Sequence, residues 1–136
     1  MTPNFSSWEF TCGCGCGLCC PSGNLVDMLE LTRTYYGRSI RVLSGSRCPK
    51  HNEKSGGSSS SSHLQNMHND KHLKNPNQLK FAADLFVANT EDAYLLVAAC
   101  FLAGFKRIGF KPSSKFIHVD VDPVKPSPHM WDYSNG

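Results

Sequence analysis

Apolar and polar positions repeat with two different periods along the chain, and they divide it into two helices and four strands. Residues 24–36 place Leu25, Met28, Leu29, Thr32, Tyr35 and Tyr36 on one stripe at helical spacing, and Gly37 is a natural stop. Residues 90–103 predict a second helix, with Asn89 or Thr90 as N-cap and Gly104 at its end. Strands are predicted at 39–43, 82–87, 106–110 and 115–121, the last two joined by the turn Lys111-Pro112-Ser113-Ser114. Trp8-Glu9-Phe10 reads as a short extended piece, and 49–54 as a helical turn within the loop 44–62. The tail, with Pro123, Pro126 and Pro128, reads as an extended wrap.

The strand alternation separates faces. Ile117, Val119 and Val121 turn one way, and His118, Asp120 and Asp122 the other. An imidazole and a carboxylate thus reach one polar surface together, which reads either as a site or as an ordinary solvent-facing side. Asp84 lies opposite Ala83, Leu85 and Val87. A lone Asp in so apolar a strand needs a partner, either a metal or an Arg.

These elements predict an α+β fold of two layers, a small antiparallel sheet with both helices on one face and the polar residues on the other. At 136 residues, 40% of them hydrophobic, the chain reads as a single domain, 1–136, with a Cys-rich loop at 12–20 and a polar insert at 65–80. The run Ser-Gly-Gly-Ser-Ser-Ser-Ser-Ser at 55–62 is linker-like, and is read as a flexible loop that carries His63 inward.

Charge and cysteines narrow the classes. The net charge of +3 comes from scattered Lys and Arg, which argues against nucleic acid as a partner. No run of 18 apolar residues exists, so no membrane span is expected. The N-terminus lacks the basic and apolar regions of a secretory signal, so synthesis in a cytoplasm is expected. Seven cysteines cannot all pair internally. Cys100 sits in the second helix as a buried small hydrophobe. Cys12, Cys14, Cys16, Cys19 and Cys20 leave three readings open: disulfides with Cys48 after export, a structural zinc, or a reduced loop.

The ordered pieces Phe5-Ser6-Ser7-Trp8-Glu9-Phe10, Ser44-Gly45-Ser46-Arg47-Cys48-Pro49, Gly56-Gly57, Ser61-Ser62-His63-Leu64, Ala82-Ala83-Asp84 and His118-Val119-Asp120 resemble the M15 family of zinc peptidases. That family holds D-alanyl-D-alanine carboxypeptidases and phage cell-wall endopeptidases, and shares its fold with the hedgehog signalling domain. The resemblance implies a Zn2+ cofactor with His63, Asp84 and His118 as metal ligands, and Arg47 holding substrate. Two departures stand out. His63 and Asp84 are 21 positions apart, where the family usually has seven, with His68 and His72 in the polar insert between them as alternative ligands. Many members carry an acidic residue three positions before the last His, where this chain has Lys115.

The resemblance therefore implies a zinc-dependent peptidase. Asp120 is expected to take a proton from a metal-bound water, or to orient that water. Arg47 is expected to grip a substrate carboxylate in a bidentate pair, or else to tie its loop to Asp84 or Asp122. Ser61 and Trp131 are candidate substrate contacts, and Trp131, with His129, has the alternative role of pinning the tail. The implied substrate is the peptide part of bacterial peptidoglycan, cut by a monomeric, phage-encoded lytic enzyme made in the host cytoplasm and acting on the wall. The alternative is a non-catalytic zinc module of the same fold, serving as a virion or interaction protein. A Cys-stapled structural protein in which the His/Asp set is coincidental is the third reading.

Overall fold

The computed structural model describes residues 2–15, 21–46, 53–54, 56, 62–64, 81–111, 115–123 and 125–132. Among the described residues, two helices, α1 (Gly23–Tyr36) and α2 (Thr90–Ala103), accompany five strands: β1 (Val42–Ser44), β2 (Ala82–Phe86), β3 (Arg107–Lys111), β4 (Phe116–Asp120) and β5 (His129–Asp132). The fold is α+β, as expected. None of the described helices is long and apolar enough to cross a membrane.

Asn89, Gly104 and Gly37 close the helices as the sequence predicts, while the N-cap of α1, Ser22, was not predicted. The Asn89 side chain accepts from the Asp92 N–H at 2.8 Å, and Gly104 ends α2 at φ +104°. Ser22 caps α1 by accepting from the Leu25 N–H, and Gly37 ends it at φ +75°. Both glycines occupy the left-handed region that side chains resist. The α1 stripe is rotated slightly from its expected setting. Val26 is buried with Leu25, Leu29 and Thr32, while Tyr35 is exposed.

The strand order is β1-β2-β4-β3-β5. The first four strands pair antiparallel, as expected, but β5 joins β3 in parallel, so the sheet is mixed. The tail is thus a fifth strand rather than a loose wrap. It takes an edge, where its prolines deprive no inner ladder of a donor, and the His129 N–H donates to the Lys106 carbonyl at 2.7 Å. Two further expectations shift. β1 is short and starts three residues later than predicted. Residues 7–10 form a 3-10 turn instead of an extended piece, because the Glu9 carboxylate folds back to accept from the Ser6 N–H at 2.6 Å.

The core lies between the helices and one sheet face. Leu25, Leu29, Leu96 and Cys100 from the helices meet Ala83, Leu85, Ile117 and Val119 from β2 and β4, with Phe5 and Phe10 closing one end. Burial pushes the Cys100 thiol up to about 12, partly offset by a hydrogen bond with Thr32, so it behaves as a small hydrophobe. Leu96→Ala removes a fully buried side chain and is expected to cost about 2–5 kcal/mol. Asn89→Ala removes only a cap and is expected to cost about 1 kcal/mol. Urea unfolding of the two variants checks both values and their order.

Candidate metal centre

The opposite sheet face carries two polar rows. Ser44, Asp84, His118, Gly109 and Trp131 are successive partners across all five strands. Ala82, Asp120, Arg107 and His129 form the next row. Asp84 and His118 therefore face each other because of strand register alone. This face is not the ordinary solvated side that alternation also allowed. Asp84, His118, Asp120, Asp122 and Arg107 are all buried.

His63 arrives from outside the sheet. The short piece 62–64 is fastened on either side of it. Phe81 N–H donates to the Ser62 carbonyl at 3.2 Å, Ser62 Oγ donates to Asp122 Oδ2 at 2.9 Å, and Leu64 is buried. The His63 ring is then held by the Gly45 carbonyl, 2.6 Å from Nδ1. Gly45 itself is pressed against the backbone of Phe10, where an added Cβ would lie 2.7 Å from the Phe10 Cα. The neighbouring Ser46 N–H donates to the Phe10 carbonyl at 2.9 Å. Only glycine lets the loop approach that closely, and the approach aims the carbonyl at His63.

Three atoms converge as a result. His63 Nε2 lies 3.1 Å from Asp84 Oδ1 and 3.2 Å from His118 Nδ1, and the latter two are 3.0 Å apart. The other nitrogen of each ring is already engaged, His63 Nδ1 with the Gly45 carbonyl and His118 Nε2 with Asp120 Oδ2 at 2.8 Å. A neutral imidazole has one N–H, and these acceptors take it. With both rings neutral, the triangle is two lone pairs and a carboxylate oxygen facing one another, whereas a protonated ring donates to Asp84. A cation at its centre turns that mutual repulsion into attraction. The dimensions suit zinc, since bonds of about 2.0–2.1 Å in a tetrahedron give edges of about 3.3 Å. These are also the three residues that the family resemblance implies as ligands, and their atoms all lie within 4.8 Å of one another.

The long separation of His63 from Asp84 does not keep them apart. His68 and His72, offered as alternative ligands, lie outside the described residues, as do Arg47 and Ser61. Most of the Cys-rich loop and Cys48 lie outside them too. Of the cluster, Cys12 is buried, Cys14 is exposed, and their sulfurs are 3.5 Å apart.

Asp120 is not where a proton acceptor for a metal-bound water would stand. It sits behind His118, on the ring nitrogen pointing away from the triangle. Its other oxygen accepts from Arg107 Nε at 2.7 Å and from the Asp122 N–H at 3.2 Å. At 1% exposure it is fully enclosed. A carboxylate so placed orients the ligand imidazole and strengthens it as a donor to the metal. Arg107 is the residue that sequence reading missed. The signal was present, because Arg107 is the direct cross-strand partner of Asp120, but it needs the hairpin register to be seen. Trp131 does reach the site. Its ring centre is 5.4 Å from that of His118, it stacks on His129 at 5.3 Å, and Arg107 lies 4.9 Å over it. Gly109 makes room, as a Cβ there would sit 2.7 Å from the indole.

Electrostatics follow the geometry. Burial opposes the charge on Asp84, but the charge of His63 and hydrogen bonds from His118 and His63 hold its carboxyl well below the usual range. Burial likewise opposes the charge on Asp120, and is outweighed by the hydrogen bond and charge of His118 and then by Arg107, which lower it. For His118, burial disfavours the imidazolium, yet Asp120 and then Asp84 raise its pKa above the ordinary value.

A buried triangle of two imidazoles and a carboxylate, on one face of a small α+β sheet, is a donor set that could hold a metal ion. The family model described as Peptidase M15 matches residues 3–120, and the chain belongs to that family. It is thus a peptidase by family, and M15 peptidases are zinc peptidases. The matched span includes all three residues of the triangle. No curated protein matches the sequence.

Zinc binding requires neutral imidazoles, so the raised pKa of His118 makes it compete with protons. Affinity is expected to rise with pH and level off once pH passes that pKa. Below it, affinity falls by about tenfold per pH unit for each proton displaced. Isothermal titration of zinc into the metal-free chain at several pH values checks the sign. Asp120→Asn is expected to weaken zinc about 10–100-fold at high pH. It also moves the pH dependence downward, because the hydrogen bond to Asp120 that raises His118 loses its charge.

Proposed function

We propose that this chain is a zinc-dependent peptidase that hydrolyses the peptide part of bacterial peptidoglycan. The observation that carries the reading is the convergence of His63 Nε2, Asp84 Oδ1 and His118 Nδ1 within 3.0–3.2 Å, with both spare ring nitrogens engaged elsewhere. Zinc bound there would lower the pKa of a bound water towards ~7 and polarise the scissile carbonyl. The protein's own part is to hold the ligands. Gly45 sets the tautomer of His63, and Asp120, backed by Arg107, sets that of His118. Burial keeps the surrounding dielectric low, which strengthens every charge interaction at the centre. Asp120 is a positioning residue in this scheme. Arg47, two residues beyond the Gly45 carbonyl that holds His63, is the anchor for a substrate carboxylate. Trp131 walls the His118 side, where a peptide chain would lie.

The peptidoglycan substrate and a phage-type lytic role, from host cytoplasm to wall, extend the M15 membership in the direction of the sequence resemblance. The test pairs metal content with hydrolysis of purified peptidoglycan. About one zinc per chain is expected, lost together with cleavage in His63→Ala, Asp84→Ala and His118→Ala. Zinc without cleavage on any wall chemotype would instead assign a non-catalytic module of the same fold. Zinc that survives His118→Ala would move the metal to the cysteines.

A further inference from the structure

Helix α2 is apolar all round. Residues 93–105 carry no charged side chain. Ala93, Leu96, Ala99 and Cys100 account for the inner face. The outer face holds Tyr94 at 75%, Phe101 at 73% and Leu102 at 61% exposure, with Met130 of β5 beside it at 61%. A helix solvated on one side normally carries its polar residues there. Together with Leu95, these side chains leave on the order of 600 Å² of apolar surface in water, taking about 200 Å² for a side chain of this size. That reaches the upper end of what a monomer ordinarily exposes and matches the apolar share of a standard interface of about 800 Å² per partner.

The face is complementary to itself. Ala98 stands at the middle of the outward stripe. Steps of three, four and seven residues towards the N-terminus meet Leu95, Tyr94 and Glu91. The same steps towards the C-terminus meet Phe101 and Leu102 and then, past the helix end, the buried Phe105, with the exposed Lys106 next. The helix is also a ridge between two grooves. One, against α1, is lined by Tyr35, Glu91, Leu95 and Leu102, and the other, against β5, by Tyr94, Phe101, Lys106 and Met130. Ala98 borders both.

We propose that α2 is the interface of a two-fold homodimer, with two copies crossing antiparallel at Ala98. Tyr94 and Leu95 of one copy pack on Phe101 and Leu102 of the other, ridges into grooves. Glu91 of each copy meets Lys106 of its partner at both ends. Antiparallel packing also sets each helix N-terminus against a C-terminus, which the helix dipoles favour. A closed two-fold contact of this kind uses one patch on both copies. It replaces the monomer that the sequence suggests. The His63–Asp84–His118 cluster lies on the sheet face opposite the helices, so this contact does not cover it. The proposal is independent of the assigned activity.

Sedimentation velocity on the full zinc-loaded chain, from about 1 to 100 µM, provides the test. The wild type is expected as a dimer, and Phe101→Asp as a monomer with unchanged circular dichroism. Glu91→Lys and Lys106→Glu are each expected to weaken association by about tenfold, and the double swap to restore it. A wild type that stays monomeric at the highest concentration would overturn the proposal and leave the face to another partner. So would a dimer that survives Phe101→Asp. A double swap that fails to restore association would overturn the antiparallel register. Glu91 and Lys106 lie outside the core, so the charge cycle remains decisive even if Phe101→Asp disturbs folding.

Discussion

Three acceptor atoms held 3.0–3.2 Å apart in a buried site repel one another, and much of this structure serves to keep them together. Two of the three are fixed by the cheapest means a protein has, cross-strand register. Asp84 and His118 are paired residues of adjacent central strands, so their approach is inherent in the sheet. The third, His63, comes from a loop and needs separate fastening at Ser62, Leu64 and the Gly45 carbonyl. Such an arrangement is costly without a cation and favourable with one. Burial opposes a charge on His118, but Asp120 and Asp84 raise its pKa above the ordinary value.

Around the triangle, both imidazoles are backed by a second group, the Gly45 carbonyl behind His63 and Asp120 behind His118. Asp120 stands behind His118, Arg107 behind Asp120, and Trp131 covers both from the edge strand. Buried charges of this kind are tolerated because each one has a partner of opposite sign or a directed hydrogen bond. The two glycines that matter here are steric rather than flexible. Gly45 lets one loop touch Phe10, and Gly109 lets Trp131 lie on the sheet. The division of labour between the sheet faces follows from this. One face is the apolar core under the helices. The other is a polar layer in which Asp84, Arg107, His118, Asp120 and Asp122 are buried.

Much of this was legible in the sequence. Period and caps give α2 to the residue, since Asn89 and Gly104 have strong local preferences that tertiary contacts did not override. Strand alternation sorts Ile117 and Val119 from His118 and Asp120 for the same local reason. The metal triad was readable only through the resemblance, because nothing local ties His63 to residues 21 and 55 positions away. Alternation puts Asp120 on the polar face without saying which way it points along that face. The carboxylate reaches back to the Nε2 of His118 rather than forward to the ligand atoms.

The sequence by itself determined the helices, their caps, the inner strands and the two-faced character of β4, all of which depend on interactions within a few residues. Tertiary structure alone decided the parallel edge strand, the Arg107–Asp120–His118 chain and the approach of His63. Each of these rests on register between strands or on a backbone-to-backbone contact such as Gly45 on Phe10. Those are distances across the chain, set by how the core packs, and periodicity along the chain does not encode them.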